Sequence, residues 1–370
     1  MIMYNGSNAF ITGPLARKVL TAGVQFKNNR GGIGGVIATY EKYFAPFYFV
    51  PTYKPQRFKP AIVSYYLYHM VRLVMALLLK PSIKIVHIHG AAKGSFYRKY
   101  GVFFIAKYVF RKRVIYHSHG SEFKDFYDHA GKISAAWIRH FFRRVDLVIC
   151  LSESWKTWFL SRFEVKKIVV LENIVEKSVT AVPHNEDATT IMEFLFLGAI
   201  GDRKGVFDLL AAIKKYKTAF AGKMHLVVGG NGAVDKLTRF IEEEGLQELV
   251  TYKGWLTGHD KIKSISNSQV YILPSYNEGL PLSILEAMSF GKAIISTPVG
   301  GIEEIVKPGY NGYLVKPGAI DEIADAMLQC IQKPSLVAAM GAHSKKVVAP
   351  YYAEEVIPKL AAVYEGLLKR

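Results

Sequence analysis

The sequence predicts an α/β protein of two domains in tandem, each a parallel sheet wound with helices. Three observations predict it. Short β-branched runs alternate with longer amphipathic runs, which is the pattern of parallel β–α units. The alternation stops at a polar stretch without period, Glu176 to Thr190, which contains Pro183, and then restarts. The chain has 370 residues, of which 50% are apolar, enough for two cores of ordinary size.

In the first half, strands are expected at 18–23, 47–50, 83–88, 113–117, 146–150 and 167–171. Helices are expected at 33–44, 61–79 and 132–144. In the second half, strands are expected at 193–197, 224–228, 249–253, 270–273 and 293–296. Helices follow at 205–216, 234–244, 259–266, 281–290 and 321–332, with a helical tail at 354–369. Two Rossmann-like domains facing across a cleft, divided as 1–180 and 181–350, are the natural reading. Ligands in such sheets bind beyond the carboxyl ends of the strands. Residues 1–14 match no pattern and are expected to form a short extra strand or a mobile arm.

The net charge is +18 and is not evenly spread. Residues 1–180 hold 28 Lys and Arg against 9 Asp and Glu; the remainder holds 20 against 21. A basic half-protein faces nucleic acid, an anionic membrane or an acidic substrate. None of the usual nucleic-acid motifs is present, so no nucleic-acid partner is expected. Basic residues interleave with bulky apolar ones from Phe96 to Arg113 and again from Trp137 to Arg144. Such helices have one apolar and one cationic side, which favours a membrane surface. The same stripes also fit the core face of a helix packed on a sheet. The most apolar run, Val71 to Leu79, contains Arg72 and ends at Lys80-Pro81. With 61–70 before it, it reads as a buried or interfacial helix and not a span. Cys150 and Cys330 lack metal or redox spacing and suit buried thiols in a reduced, cytosolic protein. No secretory leader is read at the N-terminus.

The stretch Pro274 to Met288 carries the most chemistry. Glu278 and Glu286 have seven residues between them, with Gly279 and Pro281 inside the interval. Pro281 suits the first position of a helix, where its missing N–H costs nothing. Glu278 then lies in the loop ahead and Glu286 in the second turn. The N–H groups of Gly279, Leu280 and Leu282 are expected to point out of the helix start towards an anion. Ionised carboxylates only accept hydrogen bonds, so the pair suits sugar hydroxyls. Together they point to a ligand with both phosphates and hydroxyls. The plain alternative is a capped surface helix with one paired glutamate.

This stretch resembles the signature of the retaining family-4 glycosyltransferases of GT-B fold, E-G-x-P-x-x-x-x-E-A. Glu278, Gly279, Pro281, Glu286 and Ala287 match it. Residues 290–297 and 300–306, with Gly309, Asn311 and Gly312, continue the likeness. The resemblance implies that Glu278 contacts the donor sugar and that Glu286 holds the ribose hydroxyls of a nucleotide. It also implies that the last helix, within 351–370, crosses back to the first domain.

Other segments fit the same site. Asn28 to Gly35 is a glycine-rich turn opening a helix, where the backbone can approach a phosphate. The resemblance turns this loop to the donor phosphates and the acceptor, which assigns Gly31 and Gly32 to donor binding. It is not a dinucleotide fingerprint, because no acidic residue ends the second strand. Lys204-Gly205 matches the family's Lys-Gly, whereas Ala199 stands where members carry Arg; Arg203 is expected to supply that second charge. Two cations stabilise a departing diphosphate. Gly230 and Asn231 resemble the glycine turn near the donor. Gly254 and Trp255 resemble the segment whose backbone reads the base. His119-Gly120 matches a His-Gly that touches the transferred sugar or the acceptor, and His89 is a candidate acceptor contact. No metal-ligand grouping appears, and the Asp-x-Asp of the other large glycosyltransferase fold is absent.

The expected activity is therefore retaining transfer of a sugar, without cofactor or metal, from a nucleotide-diphosphate sugar, UDP-linked, to a glycan or polyprenyl-diphosphate-linked acceptor. The resemblance extends to bacterial enzymes of surface polysaccharide synthesis. The expected place is the cytoplasm, peripheral on the inner face of the membrane. The alternatives are a nucleotide-sugar epimerase of the same fold, which would need carboxylate bases in an acid-poor domain, and a non-catalytic membrane-bound scaffold with a vestigial donor site.

Overall fold

A computed structural model describes residues 11–27, 31–178 and 191–369. The chain divides into two compact units. The first comprises Met1–Ile174 together with Ala353–Arg370, and the second is Val175–Tyr352. The sequence placed the boundary at 180/181; the structure places it at 174/175. The segment 179–190 of the expected linker lies outside the described residues, as do 1–10 of the unassigned arm.

The first unit is a parallel sheet of six strands. In chain order they are β1 (Val19–Val24), β2 (Tyr48–Tyr53), β3 (Ile85–Gly90), β4 (Arg113–Ser118), β5 (Leu147–Cys150) and β6 (Ile168–Val170). Their spatial order is β2-β1-β3-β4-β5-β6. The helices are α1 (Gly32–Tyr43), α2 (Lys59–Leu79), α3 (Gly94–Phe104), α4 (Lys132–Arg144) and α5 (Glu153–Arg162). β2 runs through Pro51 to Tyr53, beyond the expected end at Val50. It can do so because it is an edge strand, where a missing N–H breaks no ladder. Ile11–Thr12 pairs in parallel with Phe44–Ala45, so part of the unassigned arm is a short strand.

One sheet face carries a single apolar core. Leu20, Val86, Ile88, Val114, Tyr116 and Val148 pack there against Leu73 and Leu77 of α2, Phe96 and Phe103 of α3, and Phe141 and Phe142 of α4. The alternation of strand residues decides this, since only every second side chain points to each face. The opposite face receives Tyr40 of α1, whose ring packs on His87, His89 and His117. The residues that return to this unit form α12 (Ala353–Leu368), which buries Val356, Ile357, Leu360, Tyr364 and Leu367.

The second unit is also a parallel sheet of six strands. They are β7 (Met192–Leu197), β8 (Met224–Gly229), β9 (Val250–Tyr252), β10 (Val270–Leu273), β11 (Ala293–Ser296) and β12 (Gly312–Leu314). The order is β9-β8-β7-β10-β11-β12. Its helices include α6 (Val206–Lys215), α7 (Val234–Glu243), α8 (Gly258–Asn267), α9 (Leu282–Ser289), α10 (Ile320–Gln332) and α11 (Pro334–Val348). The sequence reading missed β12, α5 and α11. β12 has three residues, too few for a period. α5 spreads its apolar side chains around the helix without a clean stripe, and its start is set instead by Ser152, whose Oγ accepts from the N–H of Trp155 at 3.3 Å.

Candidate active site

Strand order fixes where ligand chemistry belongs. In the second unit the order turns at β7 and β10, which are neighbours in space but not in sequence. Crevices beyond the carboxyl ends of such strands are where parallel sheets bind ligands. β7 runs through Gly198 to the tight turn Asp202–Lys204, and β10 runs through Pro274 and Ser275 to Glu278.

These two loops grip each other. Lys204 Nζ is ion-paired with Glu278 Oε1, both side chains being largely buried. Ser275 Oγ donates to the same carboxylate oxygen at 2.8 Å. The Arg203 guanidinium donates to the carbonyl of Asn277 at 3.0 Å, and the N–H of Tyr276 donates to the carbonyl of Arg203 at 2.9 Å. Lys204, Arg203 and Glu278 are thus brought together, although 74 residues separate the first and last. Gly205 makes the approach possible. Its φ is +68°, and a Cβ there would lie 2.0 Å from the carbonyl oxygen of Pro274.

The helix after the motif starts one residue later than expected. Pro281 is its N-cap, and its carbonyl accepts from the N–H of Ile284 at 3.2 Å. Gly279 and Leu280 are buried in the preceding loop. The carbonyl of Gly279 accepts from the N–H of Gly301 at 2.7 Å. Of the three N–H groups expected at the helix start, only that of Leu282 therefore stands in its first turn.

Glu286 is half-buried on α9 and accepts from Lys261 Nζ of α8 at 2.6 Å. Lys261 was missed in the sequence. It matches no motif, and nothing local to α8 signals a partner 25 residues on. Gly230 donates its N–H to the carbonyl of Gly254 at 2.8 Å, and Asn231 accepts through its carbonyl from the N–H of Ile200 at 2.7 Å. A Cβ on Gly230 would fall 1.9 Å from the carbonyl oxygen of Gly198. The loops after β7, β8 and β9 are therefore laced by backbone bonds, with Trp255 half-buried beside Gly254.

In the first unit Gly31 is the N-cap of α1 and Gly32 its first residue; Asn28 to Arg30 lie outside the described residues. The register of β3 with β4 sets His89 against His117, so four imidazoles gather at the strand ends. His89 Nδ1 and His119 Nε2 are 2.9 Å apart. His87 Nε2 lies 3.3 Å from His117 Nδ1, and His87 Nδ1 lies 2.7 Å from the Tyr364 hydroxyl of α12. Burial holds the pKa of His87 and His119 down to about 3 and pushes His89 and His117 well below their ordinary value. All four are neutral at physiological pH. His119 can offer a ligand a neutral hydrogen bond but not a stored proton.

His89 is fully buried and reaches His119, so it orients that residue and has no surface to give an acceptor. The fold also assembles a grouping that the sequence reading did not find. Ligand nitrogens of His87, His89 and His117 lie within 4.8 Å of one another, and Nε2 of His89 and of His117 has no hydrogen-bond partner among the described residues. The rings of His87 and His117 are nearly parallel at 8°, and those of His87 and His89 lie at 25°. Those of His89 and His117 are tilted by 33°. The arrangement is a hydrogen-bonded ladder of neutral imidazoles.

Residues 37–179 match the family model Glycosyltransferase Family 4, and residues 182–347 match Glycosyl transferases group 1. Each half of the chain thus matches a glycosyltransferase model, and the chain is family-4-like. A lipopolysaccharide 1,6-galactosyltransferase of Salmonella typhimurium is 30% identical over 187 residues, covering 48% of this chain and 50% of that protein. The chain spans 49% to 66% of the length of curated relatives of this kind. Sucrose-phosphate synthase from Thermosynechococcus elongatus has the same fold, with a TM-score of 0.77 at 16% identity over 95% of this chain and 99% of that one. Anabaena HepE, solved in complex with UDP and glucose, gives a TM-score of 0.73 at 16% identity over 95% and 100%. The GT-B glycosyltransferase fold expected from the motif is therefore present.

Proposed function

We propose that this chain moves a sugar from a UDP-linked donor to a glycan or polyprenyl-diphosphate-linked acceptor, with retention of anomeric configuration. The observation that carries the reading is the meeting of Lys204, Arg203 and Glu278 at the switch point of the second sheet, in the loop ahead of the helix that carries Glu286. The second unit is assigned the donor. Glu286 would accept from the ribose hydroxyls and Glu278 from the sugar. Lys204 and Arg203 would stabilise the diphosphate as the bond from the anomeric carbon to the phosphate oxygen breaks. The first unit is assigned the acceptor, with His119 as a contact. An acceptor hydroxyl oxygen forms the new bond on the same face of the sugar, and its proton passes to the departing phosphate oxygen. No metal is assigned, because the cations and the helix start supply the positive charge.

The galactosyltransferase relative acts on lipopolysaccharide by its name, which supports a role in surface polysaccharide synthesis. UDP and glucose bound in the Anabaena neighbour support a UDP-sugar. A lipid-linked acceptor would place the work at the inner face of the cytoplasmic membrane.

The test begins with a melting screen against nucleotide sugars, because a ligand that prefers the native state raises the melting temperature. A UDP-sugar is expected to give the largest rise and to be slowly hydrolysed to UDP. Lys204→Ala should cut turnover by about 10²-fold, the scale of losing one transition-state donor. A product of inverted configuration, or full turnover by the Lys204 variant, would end this assignment.

A further inference from the structure

We propose that the outward face of α2 is the surface by which this chain docks on an anionic lipid bilayer. The inference rests on the lipid-linked part of the reading above and names the element responsible. From sequence alone, the segments 96–113 and 137–144 held that place.

α2 has two apolar sides. One is a buried seam of Met70, Leu73 and Leu77 packed on the sheet. The other carries Val63, Leu67, Val71 and Leu78 at helical spacing, exposed by 56%, 57%, 63% and 58%. Phe58 just before the helix and Leu79 at its end are exposed as well. A surface helix of a soluble domain is ordinarily polar on the side away from its core. Here the most apolar stretch of the helix is only 22% buried. By length and composition the helix is able to cross a membrane. Its packing argues for lying along one instead. The seam holds it to the sheet, and the Tyr66 hydroxyl donates to the carbonyl of Arg98 on α3 at 3.0 Å.

Charge identifies what covers this face. Between residues 54 and 144 there are 18 Lys and Arg against three Asp and Glu, and none of those acids is in α2. Arg57 and Lys59 stand at its start, and Lys80 and Lys84 follow its end. The unit exposes further aromatic residues on two other helices, Phe104 at the end of α3 and Trp137 on α4. An apolar body with a cationic rim matches the acyl and headgroup layers of an anionic bilayer. A second copy of the chain would instead bring two cationic faces together.

The experiment is co-flotation of the full chain with vesicles of phosphatidylglycerol and phosphatidylcholine, against vesicles of phosphatidylcholine alone. Anionic vesicles should carry the protein at low salt and release part of it at high salt. The double variant Leu67→Glu, Val71→Glu should lose binding by about tenfold or more, as two apolar side chains no longer enter the bilayer. Leu160→Glu, an exposed position on α5, should bind as the parent does. Donor-induced melting shifts should be equal in all three proteins, which shows that the variants fold and separates this test from that of the donor site. The proposal is overturned if the parent ignores anionic vesicles or the double variant floats equally well. It is also overturned if the parent proves to be a dimer in solution that the double variant abolishes.

Discussion

Glu286 is held by a lysine that no motif announced. Lys261 Nζ sits 2.6 Å from its carboxylate, and both side chains are about one-third exposed. A pair that open contributes little to stability. Its consequence is geometric, since it fixes one carboxylate oxygen and leaves the other to accept. Lys261→Met should therefore weaken UDP binding by several-fold with little change in melting temperature, while Glu286→Ala should weaken it more. Calorimetric titration with UDP measures both, and unchanged affinity in the Glu286 variant would remove that residue from the nucleotide site. What the sequence revealed at this scale was spacing. The interval from Glu278 to Glu286 was legible because both lie on one local segment. Lys261 and Ser275 were not, because their roles depend on which side chains the fold sets opposite a carboxylate.

At the scale of elements, the strand ends of β3 and β4 carry a pH dependence. Burial keeps His87 and His119 down to about 3, with His89 and His117 also far below their ordinary value. A histidine in the unfolded chain titrates near 6.5. Below about pH 6.5 the unfolded chain takes up protons that the native state refuses, so stability falls as pH falls; above it the ladder adds no slope. Each such histidine contributes on the order of 1.4 kcal/mol per pH unit within that window. Urea midpoints at pH 7.5 and 5.5 read the effect, and equal stability at the two would contradict the burial of the ladder. The strands themselves were legible from β-branched runs, β10, β11 and α4 to the residue. The ladder was not, because it needs the register of two strands and a tyrosine 277 residues further on. The late start of α9 is of the same kind. Proline fits the cap as well as the first turn, and what separates the two is its ψ of 120°, extended where a helical residue would be at about −40°.

For the whole molecule, the division into units carries its own prediction. The second unit is one continuous segment, Val175–Tyr352, whereas the first is closed by residues from the far end of the chain. Removing 353–370 uncovers the groove that holds Tyr364 and its apolar neighbours and leaves His87 Nδ1 without its hydroxyl partner. Losing one large buried side chain costs about 3–5 kcal/mol, so the loss of several should unfold the first unit. The second unit should keep its fold and its affinity for UDP. Calorimetry of the truncated chain should show one of two transitions missing, and two intact transitions would refute the account. The charge imbalance belongs to this scale too. It was legible from composition, but α2 became the favoured contact only when its outer side proved to be uncovered.

The returning helix also sets an order of events on the ribosome. Its residues emerge after the whole second unit has been made, and at about 5–20 residues per second that delay is on the order of 10 to 40 s. During that time the nascent first sheet has α1 on its histidine side but lacks the helix that brings Tyr364 to His87. The part of the chain translated second is the first able to reach its finished form.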